Sequence, residues 1–448
     1  LFKTIWTTLL LGAASFGPAH AYDGGRYGAV DVVAPTSSPR GIIILFSDGD
    51  GLKAAEKTRL DAIAQAGAIA VGVNSAAYFR NLSQAEPGCL SLFSDAETLS
   101  RELQREYPTP QYRVPIVAGE GVGGELASRI VQQSPLQTVG GAVAVDPASA
   151  LPLQRDLCPR PLEADDREGP GTPDAPVLKN PWTVALTPSA SPETHEHFAA
   201  LAAKTKLITL RDLSSDPDPL AFSNLLLPFL ARAPTEGVAD LPLVEMPAQP
   251  HTRRMAVFIS GDGGWRDVDK RVSERLQQLG VSVVGWDSLR YFWSRKTPDQ
   301  AAADLASVLE TYERKWNCDE VALIGFSFGA DVMPFLYDRL DEESQRRIAL
   351  ISILSPGEAA DWEIKVAGWF GAGPSSAATP LAPAVATMPG DRMQCFYGDQ
   401  DSGRSCELFA ARGAEIFQKK GDHHMDGDFD RIGKEIFEGF ERRLKSTQ

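Results

Sequence analysis

The chain repeats itself, and the repeat constrains its architecture more than any other feature. "FSDGDGLKAAEKTRLDAIAQAGAIAVGVNSAAYFR" (46–80) and "ISGDGGWRDVDKRVSERLQQLGVSVVGWDSLRYFW" (259–293) align without a gap at an offset of 213. Ten of the 35 positions are identical: Ser47/Ser260, Gly51/Gly264, Lys57/Lys270, Gln65/Gln278, Gly67/Gly280, Val71/Val284, Gly72/Gly285, Ser75/Ser288, Tyr78/Tyr291 and Phe79/Phe292. Both copies read as strand, glycine-rich turn, helix, glycine, strand, then an aromatic loop. A period of about 200 residues means a duplicated domain rather than a solenoid.

The second copy continues with a helical pattern over 297–316, where Ala302, Leu305, Val308, Leu309 and Tyr312 share a face and Pro298 sits in the first turn. "EVALIG" (320–325) is the next strand, followed by a turn and a helix expected to break or kink at Pro334. The first copy follows suit through "RVPIVAGEGVGGELASRIV" (113–131), now at an offset of 206, with seven extra residues near Cys89. Alternating strand and helix calls for a mostly parallel sheet flanked by helices, once per copy. "ARAPTEGVADLPLVEMPAQPHTRR" (231–254) reads as a linker ending in a strand near Leu241 to Met246, and 159–180 as a long polar loop. The expected organisation is 1–21, 22–236 and 237–448.

Residues 1–21 read as a secretory signal peptide: Lys3, an apolar run from Ile5 to Phe16, then Ala19-His20-Ala21 as the cleavage pattern. Export makes disulfides possible among the five cysteines. Cys395 and Cys406 could staple one short loop, and Cys89 could pair with Cys158. Cys318 would then remain as a small buried residue, although sequence does not fix the connectivity. A net charge of −15 gives the chain no general attraction for nucleic acid.

The chemistry centres on "GFSFG", Gly325 to Gly329. In a chain of this length and glycine content, G-x-S-x-G arises by chance roughly one time in four, so context must carry it. Here the motif follows a strand and opens a helix, as a nucleophile elbow at Ser327 requires. In the first copy Gly121 stands at that position, which leaves no nucleophile.

A serine hydroxyl needs an adjacent base. "KKGDHHMDGDFDRI" (419–432) sits before the last helix, where a base belongs; His423 is favoured over His424, while His251 lies at the wrong end. A metal cluster of these histidines with Asp426 and Asp428 is the weaker reading, because adjacent histidines rarely converge on one ion. The acid that orients the base should follow a strand between nucleophile and base. "MQCFYGDQD" (393–401) supplies it, with Asp401 ahead of Asp399. Two backbone N–H groups must hold an oxyanion. These are expected from Phe328, after the nucleophile, and from Asp262 in the loop Gly261-Asp262-Gly263-Gly264. That loop lacks the Lys-Ser/Thr ending of a phosphate-binding P-loop. The fold class is therefore α/β: two tandem α/β-hydrolase-like domains, the first degenerate. No cofactor or metal is called for.

"SGDGGW" (260–265), "GWDSLRYFWSRKTP" (285–298), "GFSFGADVMPF" (325–335) and "GDHHMDGDFD" (421–430) resemble the VirJ/AcvB family of exported bacterial virulence proteins. The two-copy layout resembles its longer, AcvB-type members. The resemblance implies a periplasmic protein, a catalytic Ser327 with His423 or His424, and hydrolysis of lysyl-phosphatidylglycerol. VirJ-type members imply instead a link to type IV secretion and contact with its machinery. An aminoacyl ester suits acyl transfer to serine, and a membrane phospholipid would be the partner. Its cationic lysyl head asks for a carboxylate, with Asp262, Asp287 and Glu358 as candidates. Trp265, Tyr291, Phe292 and Trp293 are candidates for lining the pocket, or equally for packing over the sheet. A binding protein on a hydrolase scaffold, with Ser327 idle, is the alternative from another class.

Overall fold

The computed structural model describes residues 19–85, 87–158, 178–230, 238–365, 375–401 and 404–446. The signal-peptide reading of 1–21 lies outside these residues up to 18, the polar stretch 159–180 up to 177, and the linker over 231–237. The described chain divides into two units, one holding 19–109, 113–158 and 178–230, the other 110–112 and 238–446.

The first unit is built on eight strands: β1 (His20–Asp23), β2 (Ala29–Val33), β3 (Ile42–Phe46), β4 (Ile69–Val73), β5 (Ile116–Glu120), β6 (Gly141–Val145), β7 (Trp182–Leu186) and β8 (Ile208–Asp212). Their order is β1-β2-β4-β3-β5-β6-β7-β8. The β1–β2 and β2–β4 pairs are antiparallel and the rest parallel. The strand β1 begins at His20, so cleavage after Ala21 would leave only its second half.

In the second unit the strands are β9 (Leu243–Met246), β10 (Arg254–Ile259), β11 (Ser282–Trp286), β12 (Glu320–Phe326), β13 (Ile348–Leu354), the two-residue β14 (Ala359–Ala360) and β15 (Thr379–Pro380), β16 (Met393–Gly398) and β17 (Glu415–Lys419). The main sheet runs β9-β11-β10-β12-β13-β16-β17, with only β9 antiparallel to its neighbour. Laid on the first sheet it matches strand for strand from β2 onward, and β1 has no counterpart. The duplication thus spans whole domains, beyond the 35 aligned residues.

The central strands are apolar throughout because both faces are covered. Along β3, Ile42, Ile44 and Phe46 enter one core and Ile43 and Leu45 the other. That is the two-residue alternation of a strand between two helical layers. The identical serines of the repeat have the same task in each copy. Ser75 N and Oγ bond Ser47 Oγ and O at 3.0 and 2.7 Å, and Ser288 bonds Ser260 the same way at 2.9 and 2.6 Å. These pairs lock the strand before the glycine-rich turn to the end of the next strand.

The helix Pro298–Trp316 is capped by Thr297, with Gln300 reaching back to complete the box. Of the break or kink expected at Pro334, no break occurs: the helix Phe328–Asp338 continues through it. Val332, Met333, Phe335 and Leu336 around the proline are all buried, and this packing holds the helix together. The residues added to the first copy lengthen one helix, Ser75–Gln84 against Ser288–Tyr291. Cys89 is bonded to Cys158 and Cys395 to Cys406, while Cys318 is a buried free thiol. No helix among the described residues is long and apolar enough to cross a membrane.

Candidate active site

Strand β12 ends at Phe326 and a helix starts at Phe328, so Ser327 must turn the chain alone. It does so at φ +51° and ψ −115°, outside the regions an L-residue ordinarily occupies. Such strain amounts to about 1–3 kcal/mol and persists only where the surroundings enforce it. The flanking glycines make the turn possible. A Cβ on Gly325 would lie 2.5 Å from Gly329 O, and one on Gly329 would lie 2.1 Å from Ile259 O. The helix therefore packs against its own strand and β10 with no room for a methyl group, and Ser327 is held at the C-terminal edge of the sheet.

Two loops at that edge bring the remaining groups. His423 Nε2 is 2.8 Å from Ser327 Oγ, and His423 Nδ1 is 3.0 Å from Asp401 Oδ2. Asp401 follows β16 and His423 follows β17, which are parallel neighbours. The two loops are zipped together: Asp399 N donates to Lys419 O, Gly421 N to Asp399 Oδ1, and Gln400 N to Gly421 O. Gly398 is needed here, because a Cβ would lie 2.0 Å from Asp422 O. From the nucleophile side, Ser355 Oγ donates to His423 O at 2.8 Å.

The geometry separates the paired candidates. Asp399 spends its carboxylate on the Gly421 backbone, so Asp401 is the residue beside the histidine. His424 Nδ1 lies 3.8 Å from Asp422 Oδ1, and His423 is the ring hydrogen-bonded to Ser327. The disulfide Cys395–Cys406 joins β16 to the helix Arg404–Ala410 and so closes the segment that carries Asp401. The loop expected to supply an oxyanion donor lies against the nucleophile: a Cβ on Gly261 would be 3.6 Å from Ser327 Cβ. Asp262 is the next residue, and Phe328 opens the helix on the other side.

The four residues expected to bind substrate are buried. Trp265, Asp287, Tyr291 and Trp293 are 3%, 4%, 2% and 1% exposed. Trp265 packs edge-on to Phe258 and covers Gly285. Asp287 caps the helix Ser288–Tyr291 by accepting the Arg290 N–H. Tyr291 donates its hydroxyl to Asp304, just as Tyr78 in the first unit donates to Asp95 at 2.5 Å. Phe292 is 1% exposed and packs on Phe328 and Trp362. These aromatics hold the loops over the sheet. Among the described residues, no group of three His, Cys, Asp or Glu side chains could hold a metal ion.

Two carboxyls near the site escaped the sequence reading. Asp331, one helical turn after Ser327, accepts the Gly357 N–H at 2.6 Å. Burial raises its carboxyl well above the usual carboxylate range, and the negative charges of Asp262 and Asp361 push it further. Asp269 is wholly buried, which likewise raises its carboxyl, and accepts the backbone N–H groups of Arg266 and Gly261 at the two ends of the glycine-rich loop. Glu56 does the same in the first unit for Lys53 and Asp48, at 2.6 and 2.9 Å. The two acids stand at aligned positions of the repeat, which was the available signal.

Parallel sheet, elbow, and acid and base on the loops after the last two strands are the parts of an α/β hydrolase. Residues 253–444 match the family model described as "Bacterial virulence protein (VirJ)". No curated protein matches the chain significantly. Among solved structures, Est1E from Butyrivibrio proteoclasticus is similar at 14% identity, covering 46% of this chain and 96% of that one with a TM-score of 0.35. The Pyrococcus furiosus esterase Pf2001 is similar at 14% identity, covering 48% and 98% with a TM-score of 0.33. XC6422 from Xanthomonas campestris, described as an α/β serine hydrolase without lid, is similar at 16% identity, covering 45% and 88% with a TM-score of 0.31.

Proposed function

We propose that this chain, whose second unit carries a VirJ-family domain over residues 253–444, is an exported serine hydrolase that cleaves the aminoacyl ester of lysyl-phosphatidylglycerol. The observation that carries the hydrolase reading is the hydrogen-bonded series Ser327–His423–Asp401 on a strained elbow. His423 takes the Ser327 proton as Oγ attacks the lysyl carbonyl. The N–H groups of Phe328 and Asp262 receive the oxyanion. His423 then passes the proton to the departing glycerol oxygen, and Asp401 keeps its ring in the required tautomer. Water, activated by the same histidine, releases lysine and frees the serine.

The lysyl head group comes from the family resemblance. The periplasm is the proposed location: the signal-like N-terminus and two disulfides fit an oxidising compartment.

The test is lysine release from vesicles containing lysyl-phosphatidylglycerol, by the wild type and by Ser327→Ala, alongside labelling with a fluorophosphonate probe. Release and labelling by the wild type alone support the whole reading. Labelling without release keeps the serine hydrolase and discards the lipid. Neither, in folded protein, favours an accessory role in secretion on a hydrolase scaffold.

A further inference from the structure

Two of the aligned positions at which the elbows differ belong together. The second unit has Ser327 at its elbow and Gly261 in the loop after β10; the first has Gly121 at its elbow and Asp48 in the loop after β3. Asp48 Oδ1 accepts the Val122 N–H at 2.8 Å. Val122 is the first residue past the elbow, the counterpart of Phe328. Asp48 is held there by its own N–H, which donates to Glu56 Oε1 at 2.9 Å. The acceptor serves the first turn of the 13-residue helix Gly121–Gln133, where N–H groups lack helical partners and negative charge is favoured.

The contact leaves no space for a nucleophile. A Cβ on Gly121 would lie 1.9 Å from Asp48 Oδ1 and 2.6 Å from its Cγ. Backbone conformation is not what demands glycine, since Gly121 has φ +55° and Ser327 adopts φ +51° with a side chain. In the second unit the aligned loop position is Gly261, where a Cβ would press on Phe326 Cδ1 at 3.1 Å and lie at ordinary contact distance, 3.6 Å, from Ser327 Cβ. A carboxylate reaching from there toward the helix N-terminus would enter the space beside Ser327.

We propose that Asp48 is a built-in occupant of the first unit's anion hole, its carboxylate standing where a reaction's oxyanion would bind, and that Asp48 and Gly121 form one coupled exchange. The first unit is closed at this point rather than merely short of a serine, and serine at position 121 alone would not reopen it. Only the comparison with Phe328 rests on the proposed function; the contact itself does not.

The experiment uses the full chain as wild type, Gly121→Ser, Asp48→Gly and the double variant. Gly121→Ser is expected to lower Tm by about 3–8 °C when Asp48 is present, and by less than half of that in the Asp48→Gly background. Hydrogen exchange at the Val122 amide should quicken about tenfold or more in Asp48→Gly. Additive Tm shifts, or unchanged exchange at Val122, would overturn the proposal. Should Gly121→Ser fail to fold, the exchange measurement on Asp48→Gly decides alone. The transplant Gly261→Asp is expected to silence probe labelling of Ser327, and labelling at the wild-type rate would overturn the equivalence of the two loops. A wild type that does not label would instead count against the proposed function and leave the stability cycle standing.

Discussion

At the scale of single residues, the site depends on side chains that have a neighbour of the same type close by in sequence. Asp401→Asn and His423→Ala are each expected to lower kcat by about 10³–10⁴-fold, since the first spoils the tautomer and the second removes the base. Asp399→Asn keeps an acceptor for Gly421, and His424→Ala touches no reacting atom, so both should stay within about tenfold of the wild type. Equal losses for all four would mean that the loops, rather than the two hydrogen-bonded residues, carry the activity. Asp331 brings a pH dependence. Its folded pKa is raised, so the stability it contributes is complete below the unfolded value near about 3.9 and is lost as pH rises through the folded value. Asp331→Asn, still able to accept from Gly357, is therefore expected to melt above the wild type near about pH 8 and to converge with it toward about pH 4. A constant difference across that range would remove the charge from the explanation. Cys318 shows the opposite of a reactive thiol: burial pushes it up to about 11. It should react with a thiol reagent only after unfolding.

Among the elements, the elbow and the stapled loop matter most. Gly329→Ala would set a methyl group 2.1 Å from the Ile259 carbonyl oxygen. The strand and helix would have to separate, so a loss of several degrees in Tm is expected together with the loss of probe labelling. Gly123→Ala makes the same clash in the first unit, 2.2 Å from Phe46 O, and should lower stability without a direct effect on labelling. The Cys395–Cys406 bridge acts on function through position. Opening it with paired serines should lower stability by about 2–3 kcal/mol, by releasing a short loop in the unfolded chain. Slower labelling should accompany it, because Asp401 sits between the two cysteines. Unchanged labelling would show that the backbone bonds between the β16 and β17 loops suffice to hold the acid.

For the whole molecule, each sheet buries its own core, around Ile44 and Val117 in one unit and around Phe258 and Ile324 in the other. A chain of residues 238–448 is therefore expected to fold and to label at Ser327, and failure to fold would show that residues before 238, among them 110–112 of the second unit, are needed to hold it together. The sequence by itself determined the duplication, the α/β class, the elbow at Ser327 and its missing counterpart at Gly121, and the segments that hold Asp401 and His423. Those features are local: glycine spacing, strand–helix alternation and chain order are written along one dimension. It also ranked Asp401 over Asp399 and His423 over His424 without settling either choice. Which member of each pair joins the hydrogen-bonded series is visible only in the tertiary structure, because it rests on which carboxylate accepts from the Gly421 backbone and which ring is bonded to Ser327. The full match of the two sheets, from β6 to β8 against β13, β16 and β17, was likewise invisible where the sequences had diverged. The aromatic loop shows the same limit. Trp265, Tyr291 and Trp293 look alike in sequence whether they line a pocket or cover a sheet, and burial decided for covering. Asp48 escaped notice for a related reason: a turn aspartate announces nothing until its carboxylate is found 2.8 Å from the Val122 N–H, 74 residues along the chain.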